Sequence, residues 1–294
     1  MEQSLYRWSS SEGPPIYSLR TRSNHHLTLV RGYELDSVES DIILPVTALC
    51  DFLFCKRCFY LTYKMGLPKP GTKNAVRGRI LHELHMRLLS REFRLASKFS
   101  FDEEPEETAY RYMIEAEGIL YYMYKGFEEA FERLGMRWED EVLRTQEHIE
   151  IISLKWANWI RELAIIHEVD GVELARMCIP YRHFEEYYKA PELALCGKVD
   201  VIELGKPVEV KTGKAPNLGI YPSHALQVIW YALLIEYVEG RDVDCAEVYY
   251  ATKFERRKLS LTQELRQWAL SIRDSALELL KRGIEEIDKY CLHM

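Results

Sequence analysis

The chain has 294 residues, a formal net charge of −7 and a hydrophobic fraction of 47%. This length allows one large domain or two modest ones, and the composition is that of a globular protein rather than a disordered or fibrous one. The first residues carry no apolar run, and the longest apolar stretch is interrupted by Gln227 and Glu236, so we expect no secretory signal, no membrane span and a cytoplasmic location.

Charged residues are unevenly distributed along the chain. Between residues 52 and 101, eleven lysines and arginines stand against two acids, and between residues 102 and 148 fourteen acids stand against five basic residues. A basic segment of this kind can bind nucleic-acid phosphates even in a protein of negative net charge. Two solvated helix faces would produce the same pattern, so charge alone leaves both interpretations open.

The first half of the chain predicts helices. Residues 46–65 and 74–97 have apolar side chains at helical spacing, and a stretch rich in glycine and proline separates them. Two further amphipathic segments predict a helical insert at about residues 102–170. Residues 1–45 are weakly patterned and are interpreted as an extension that precedes a single domain of residues 46–294.

The pattern then changes from helices to strands. We predict strands at Met177–Pro180 and Leu195–Glu203, a turn at Gly205-Lys206-Pro207 and a return strand at Val208–Lys211. The remaining predicted elements are a helix at Ser223–Tyr237, strands at Ala246–Thr252 and Arg257–Leu261, and a final helix from about Thr262. Helices around a small interrupted sheet indicate an α/β fold.

The predicted hairpin places two acids and a lysine together. Successive side chains of a strand alternate between faces, so Glu209 and Lys211 share a face while Val208 and Val210 can pack on the core. The turn can bring Asp200, on the preceding strand, beside Glu209. Two carboxylates supply the oxygen ligands that Mg²⁺ or Mn²⁺ prefers, and a lysine beside them can stabilise charge on a phosphate. The set suits metal-dependent phosphodiester hydrolysis, although a surface hairpin with a cross-strand ion pair would have the same sequence.

Three motifs around this hairpin resemble those of one nuclease family. Gly197-x-x-Asp200 followed by Val208–Thr212 is similar to the central motif of RecB-type PD-(D/E)xK nucleases. The segment Gly78–Glu83 resembles the family's upstream G-x-x-x-H motif, and Gln227–Tyr231 resembles its downstream Q-x-x-x-Y motif. The three motifs occur in the family's order.

The resemblance implies a fold and a set of site residues. The fold is a restriction-endonuclease-like α/β core, with a small mixed central sheet flanked by helices and a helical N-terminal and insert region. The implied metal-contacting residues are His82, Asp200, Glu209 and Val210, and the implied catalytic residues are Asp200, Glu209, Lys211, Gln227 and Tyr231. A further acidic residue is expected on the strand before Asp200, and Glu185, Glu186 and Glu192 are equal candidates.

The accessory residues also have a physical interpretation of their own. His82 can add a neutral imidazole ligand to the carboxylate pair, and His85, at i+3 from His82, is a weaker candidate for the same role. Gln227 and Tyr231 are four residues apart and share one helix face, from which they can contact the scissile phosphate or hold Lys211. Ordinary packing is the alternative for each of them.

The cysteines point to a narrower relationship. Seven cysteines in a chain expected in the cytoplasm favour thiols or metal ligands over disulfides. The segment Phe54–Tyr60 resembles the N-terminal cysteine motif of the CRISPR-associated "Cas four" nucleases, which are similar to AddB-type nuclease domains. That resemblance implies an iron–sulfur cluster, of [4Fe–4S] rather than [2Fe–2S] type, on Cys50, Cys55, Cys58 and Cys291. The family carries three of its four cysteines near the C-terminus, whereas this chain carries one there, and buried thiols are the alternative.

These features predict a function. We expect a Mg²⁺- or Mn²⁺-dependent DNA nuclease, acting as an exonuclease on single-stranded ends, with basic residues that grip phosphates and aromatic residues that stack on bases. The "Cas four" resemblance implies a role in CRISPR adaptation beside the integrase proteins, and oligomers are compatible with it. The alternative is a catalytically weak DNA-binding adaptor subunit of an adaptation complex.

Overall fold

The computed structural model describes residues 42–282, and Cys291 therefore lies outside the described residues. Within that range the helices are α1 (Val46–Phe54), α2 (Lys56–Tyr63), α3 (Lys73–Ala96), α4 (Pro105–Met123), α5 (Glu128–Leu134), α6 (Trp138–His167), α7 (Gly171–Cys178), α8 (Pro222–Glu239) and α9 (Gln263–Arg282). The strands are β1 (Leu44–Pro45), β2 (Arg182–Ala190), β3 (Leu195–Glu203), β4 (Lys206–Lys211), β5 (Cys245–Tyr250) and β6 (Glu255–Ser260). No helix in this part of the chain is both long and apolar enough to span a bilayer.

The strands form one mixed sheet. Its order is β1-β3-β4-β5-β6, and β2 pairs with β3 as well. The β2–β3, β3–β4 and β5–β6 pairs are antiparallel, whereas β1–β3 and β4–β5 are parallel. Helix α8 is the crossover between the parallel strands β4 and β5, as a parallel connection requires. A small mixed sheet with helices around it confirms the predicted α/β fold.

Apolar side chains lie on both faces of the sheet. One core joins the sheet to α1, α8 and α9, and it includes Trp230 and Leu234. Helix α8 is buried continuously from Leu226 to Glu236 because it lies between the sheet and other helices. On the opposite face, Met86 and Leu89 of α3 pack against the sheet. The other side of α3 joins α4, α6 and α7 in a separate helical core.

Gly197 lies where α8 comes closest to the sheet. A Cβ atom at this position would be 2.9 Å from Cε1 of Tyr231 and 3.1 Å from Cγ2 of Val46. Both neighbours are buried, so neither can move away freely. Glycine in the G-x-x-D motif is therefore needed because the backbone and the helix approach closely.

We expect Gly197→Ala to lower the free energy of unfolding by about 1–3 kcal/mol, the usual effect of overpacking a filled core. Gly118→Ala is the matched control, because no atom lies within 4 Å of its added Cβ and alanine favours a helix. Urea unfolding of the two variants measures the difference. Equal stabilities would contradict the close approach at Gly197.

One predicted strand is wrong, and strands β1 and β2 were missed. Met177 and Cys178 are the last residues of helix α7, and the strand begins later, at Arg182. Leu174 and Ala175 are buried in the helical core, so tertiary packing of α7 outweighs the local preference for a strand. Strand β2 was missed because its exposed positions are polar, as suits a strand that pairs along its length with β3 alone.

Two boundaries also differ from the prediction. The hairpin turn consists of Leu204 and Gly205, which both have positive φ, and Lys206 already belongs to β4. A two-residue hairpin of this kind requires positive φ at both turn positions. The predicted helix over 46–65 breaks at Cys55, which is extended and caps α2 by accepting a hydrogen bond from the N–H of Cys58 at 3.3 Å.

Candidate active site

The residues predicted for the site come from four elements, which are strands β3 and β4 and helices α3 and α8. The register that pairs Val201 with Val208 places Asp200 opposite Glu209. Asp200 Oδ2 lies 3.0 Å from His82 Nε2, on α3, and accepts a hydrogen bond of 2.9 Å from the N–H of Val210. The main chain of β4 and a helix side chain thus fix one carboxylate oxygen of Asp200.

Lys211 lies between the hairpin and α8. Its Nζ donates to Glu209 Oε1 at 2.7 Å and to Gln227 Oε1 at 2.8 Å. Gln227 Nε2 in turn donates to the Tyr231 hydroxyl at 2.9 Å. The Q-x-x-x-Y pair therefore positions the lysine, one of the two roles that the sequence suggested for it. Val208 and Val210 pack on the opposite face of the sheet, as strand alternation predicts.

The electrostatics of the site follow from burial and close charges. Burial would raise the pKa of Asp200, but the contact with His82 and the N–H of Val210 hold that pKa below its usual value. Burial, reinforced by the nearby Asp200 charge, raises the pKa of Glu209. Burial would lower the pKa of Lys211, yet the Glu209 carboxylate raises it, so Lys211 keeps its positive charge.

The residues fit a divalent cation. Glu209 is 4% exposed, and its Oε2 has no hydrogen-bond partner, so a buried oxygen ligand is left open beside Asp200. Within residues 42–282, no three His, Cys, Asp or Glu side chains are already arranged as a cation cage. Asp200 and Glu209 are instead paired with His82 and Lys211, respectively.

A cavity of about 830 Å³ opens over these residues. His82, Glu209 and Lys211 lie in its wall together with Arg79 and Lys214. His224 also lines it, and sequence reasoning missed this residue. The sequence did contain one indication of this residue, because His224 lies three residues before Gln227 and therefore shares its face of the same helix.

The sequence profile of the PD-(D/E)XK nuclease superfamily matches residues 44–292. The chain belongs to the PD-(D/E)XK nuclease superfamily. Members of the PD-(D/E)XK superfamily are metal-dependent nucleases that usually use Mg²⁺ or a similar divalent metal. No curated protein matches the chain.

In this PD-(D/E)XK protein, none of the three candidates for the extra acid hydrogen-bonds to the site. Glu185 pairs with Lys198, and Glu186 lies 3.8 Å from His183. Glu192 raises the pKa of Tyr237 on the far part of α8, although burial is the larger cause of that rise. Glu185 has a positive φ of 57° at the position opposite Asp200, so β2 is distorted beside the site.

The predicted cluster cysteines do not share one environment. Cys50 donates to the carbonyl of Ser223 at 3.3 Å, and burial raises its pKa. The charges of Lys211 and Glu209 act on the pKa of the Cys50 thiol, which therefore lies near the candidate site. Cys55, by contrast, caps α2.

His85 has a structural role distinct from that of His82. Its Nε2 lies 2.8 Å from Nε2 of His148, on α6, and the ring is 2% exposed. One nitrogen must donate and the other accept, so the pair is stable only while a proton is absent from one ring. Burial, followed by the His148 charge, lowers the pKa of His85 to about 3.

The His85 pair predicts a loss of stability in mild acid. The unfolded chain protonates this histidine near pH 6.5, whereas the folded chain does so only near pH 3, so folding is opposed increasingly as the pH falls through this window. We expect the free energy of unfolding to fall between pH 6.5 and 5, by up to about 1.4 kcal/mol per pH unit for this group. The fall should be shallower in His85→Phe. Parallel stability curves from urea unfolding would contradict the prediction.

Proposed function

We propose that this protein is a divalent-metal-dependent DNA nuclease whose centre is formed by Asp200, Glu209 and Lys211. The observation that carries the proposal is the buried, unpartnered Oε2 of Glu209 beside the Asp200 carboxylate, at the wall of an open cavity. Asp200 and Glu209 would hold Mg²⁺ or Mn²⁺, and His82 would complete the set from α3. The side chain of Val210 packs on the opposite face of the sheet, so Val210 would contact the metal only through its main chain.

The chain's own residues suit phosphodiester hydrolysis. A bound divalent cation would polarise a phosphate oxygen and lower the pKa of a water. Lys211 remains charged and is fixed by Glu209 and Gln227, so it can stabilise negative charge that develops on the phosphate without first reorganising. Tyr231 fixes the amide of Gln227 and thereby acts on Lys211 indirectly.

The finer proposal is an exonuclease that acts on single-stranded ends. Arg79 and Lys214 at the cavity supply cations for phosphates, and Tyr221 adds an aromatic ring on which a base can stack. Single-stranded DNA fits this combination because its bases are accessible for stacking.

DNA cleavage tests both levels of the proposal. Labelled single-stranded, blunt and overhanging DNA are incubated with the protein in Mg²⁺, in Mn²⁺ and in excess EDTA. We expect metal-dependent cleavage that favours single-stranded ends and that Asp200→Asn abolishes. Unchanged cleavage in Asp200→Asn would reject the site. DNA binding without turnover in either metal would instead favour the adaptor subunit.

A role in CRISPR adaptation is the finest part of the proposal, and it rests on the cysteine motif. The proposed cytoplasmic location rests on the sequence, which has no apolar run of the length of a membrane span. Cys55 and Cys58 share the first turn of α2, whereas the thiol of Cys50 bonds to Ser223. Visible absorption and the iron content of anaerobically purified protein test the cluster. An iron content near zero would remove the cluster and, with it, the argument for this relationship.

A further inference from the structure

His224 and His82 both line the cavity, His224 from α8 and His82 from α3. It occupies the first turn of α8, three residues before Gln227, so the two side chains share one face of the helix. Three residues correspond to about 4.5 Å along a helix axis. His224 is therefore displaced by about one helical turn from Gln227, the residue of α8 that contacts Lys211.

Two tyrosines fix the His224 ring. Nδ1 lies 3.1 Å from the hydroxyl of Tyr250, and the ring of Tyr221 meets the imidazole edge-on, with centroids 5.4 Å apart. Tyr250 is fully buried on β5. The imidazole is thus held by a hydrogen bond on one side and a ring contact on another.

The hydrogen bond to Tyr250 decides which ring nitrogen of His224 carries the proton. Tyr250 is fully buried, so the hydrogen of its hydroxyl group needs an acceptor within the protein. Among the described residues, the hydrogen-bond partner of this hydroxyl is Nδ1 of His224, and we assign the phenol O–H as the donor because its hydrogen would otherwise be buried without an acceptor. With Tyr250 donating to Nδ1, the proton of a neutral His224 lies on Nε2.

A second network holds this wall in place. The guanidinium of Arg257, on β6, lies over the Tyr250 ring at 5.0 Å and donates to the carbonyl of Pro216 at 2.9 Å and to that of Gly219. Both carbonyls belong to the loop between β4 and α8. The loop and Tyr250 are therefore tied to the same side chain.

We propose that His224 contacts the substrate: its Nε2–H donates a hydrogen bond to a non-bridging oxygen of the DNA phosphate next to the scissile one, and Tyr250 is the positioning residue that fixes this tautomer. The inference rests on the proposed nuclease function. The charge state agrees with it, because burial and the Lys211 charge lower the pKa of His224 to about 4 and keep the ring neutral near pH 7. A neutral donor held by the fold binds a phosphate oxygen without adding charge beside Lys211.

The test uses single-stranded oligonucleotides in which one methylphosphonate, a neutral phosphate analogue, is moved stepwise past the main cleavage position in Mn²⁺. On the unmodified strand we expect His224→Ala to lower kcat/KM about tenfold, mainly through KM, as loss of a hydrogen bond to a charged group does. His224→Gln should recover part of this loss, and Tyr250→Phe should lose less than His224→Ala. His183→Ala, on exposed β2, is the control and should match the wild type on every strand.

The expected signature is position-specific. When the methylphosphonate occupies the contacted phosphate, the wild type and His224→Ala should cleave at the same rate, because the contact is absent from both. A defect of equal size on every modified strand would overturn the inference and assign His224 to packing alone. If His224→Ala does not fold, the same strands are cleaved with His224→Gln and Tyr250→Phe. A defect that disappears on the strand modified at the contacted phosphate supports the inference, and a defect of equal size on every strand overturns it. A wild type that cleaves no strand would reject the nuclease function itself, and this inference with it.

Discussion

Lys211→Met is expected to reduce metal-dependent DNA cleavage at least about a hundredfold, the range seen when a group that stabilises transition-state charge is removed. Methionine keeps most of the volume and length of lysine but has no charge and no donor. Lys211 Nζ now holds Glu209 Oε1 and Gln227 Oε1, so the variant loses the cation and both hydrogen bonds. The loss should fall mainly on kcat, because the charge acts on the reacting phosphate.

Single-turnover cleavage in Mn²⁺ measures this effect. Lys189→Met is the matched control, since Lys189 is exposed on β2, and its rate should stay within about twofold of the wild type. Gln227→Leu should give an intermediate loss, because the lysine keeps its charge but loses one of its two holders. A Lys211→Met rate close to that of the wild type would remove Lys211 from the catalytic set.

Arg182→Met is expected to lower the free energy of unfolding by about 3–5 kcal/mol, the cost of leaving buried charge uncompensated. The Arg182 side chain is 5% exposed and pairs at 2.7 Å with both Glu92 on α3 and Glu203 on β3. Its Nη1 also donates to the carbonyl of Leu89 at 3.2 Å. Arg256 still pairs with Glu203 in the variant, whereas Glu92 loses its ion-pair partner.

Chemical unfolding of two further variants separates the charge effect from lost packing. Arg282→Met breaks an exposed ion pair with Glu278 at 2.7 Å and should cost no more than about 0.5 kcal/mol. Glu92→Leu in the Arg182→Met background removes the stranded carboxylate and should recover part of the stability. If the double variant is less stable than Arg182→Met, the buried charge is not the cause of the loss.

Local periodicity in the sequence predicted which side chains of the candidate site share a face. Glu209 and Lys211 are two residues apart on a strand, and Gln227 and Tyr231 are four apart on a helix, so the spacing alone determines which side chains share a face. Long-range features could not be predicted in this way. The His85–His148 pair joins helices that are distant in the chain, and only packing brings the two rings together.

Other features were missed because local preference was overruled. Strand β2 mixes charged residues with aromatic ones and lacks a regular alternation of apolar and polar side chains, and its pairing with β3 makes it a strand. The break at Cys55 depends on a thiol that accepts a hydrogen bond from the main chain, which a helical wheel does not represent. His224 was overlooked because its hydrogen bond to Tyr250 joins helix α8 to strand β5, a contact that local spacing does not reveal.

Helix α3 packs against the helical core on one side and against the sheet on the other. Ile80, Leu84 and Leu88 pack with the helices of the insert, Met86 and Leu89 pack on the sheet, and His82 reaches Asp200. Withdrawing the insert would expose the apolar side of α3 and loosen the helix that carries His82. We therefore expect the candidate site and the helices that pack on α3 to unfold together, so that local opening of those helices also separates His82 from Asp200.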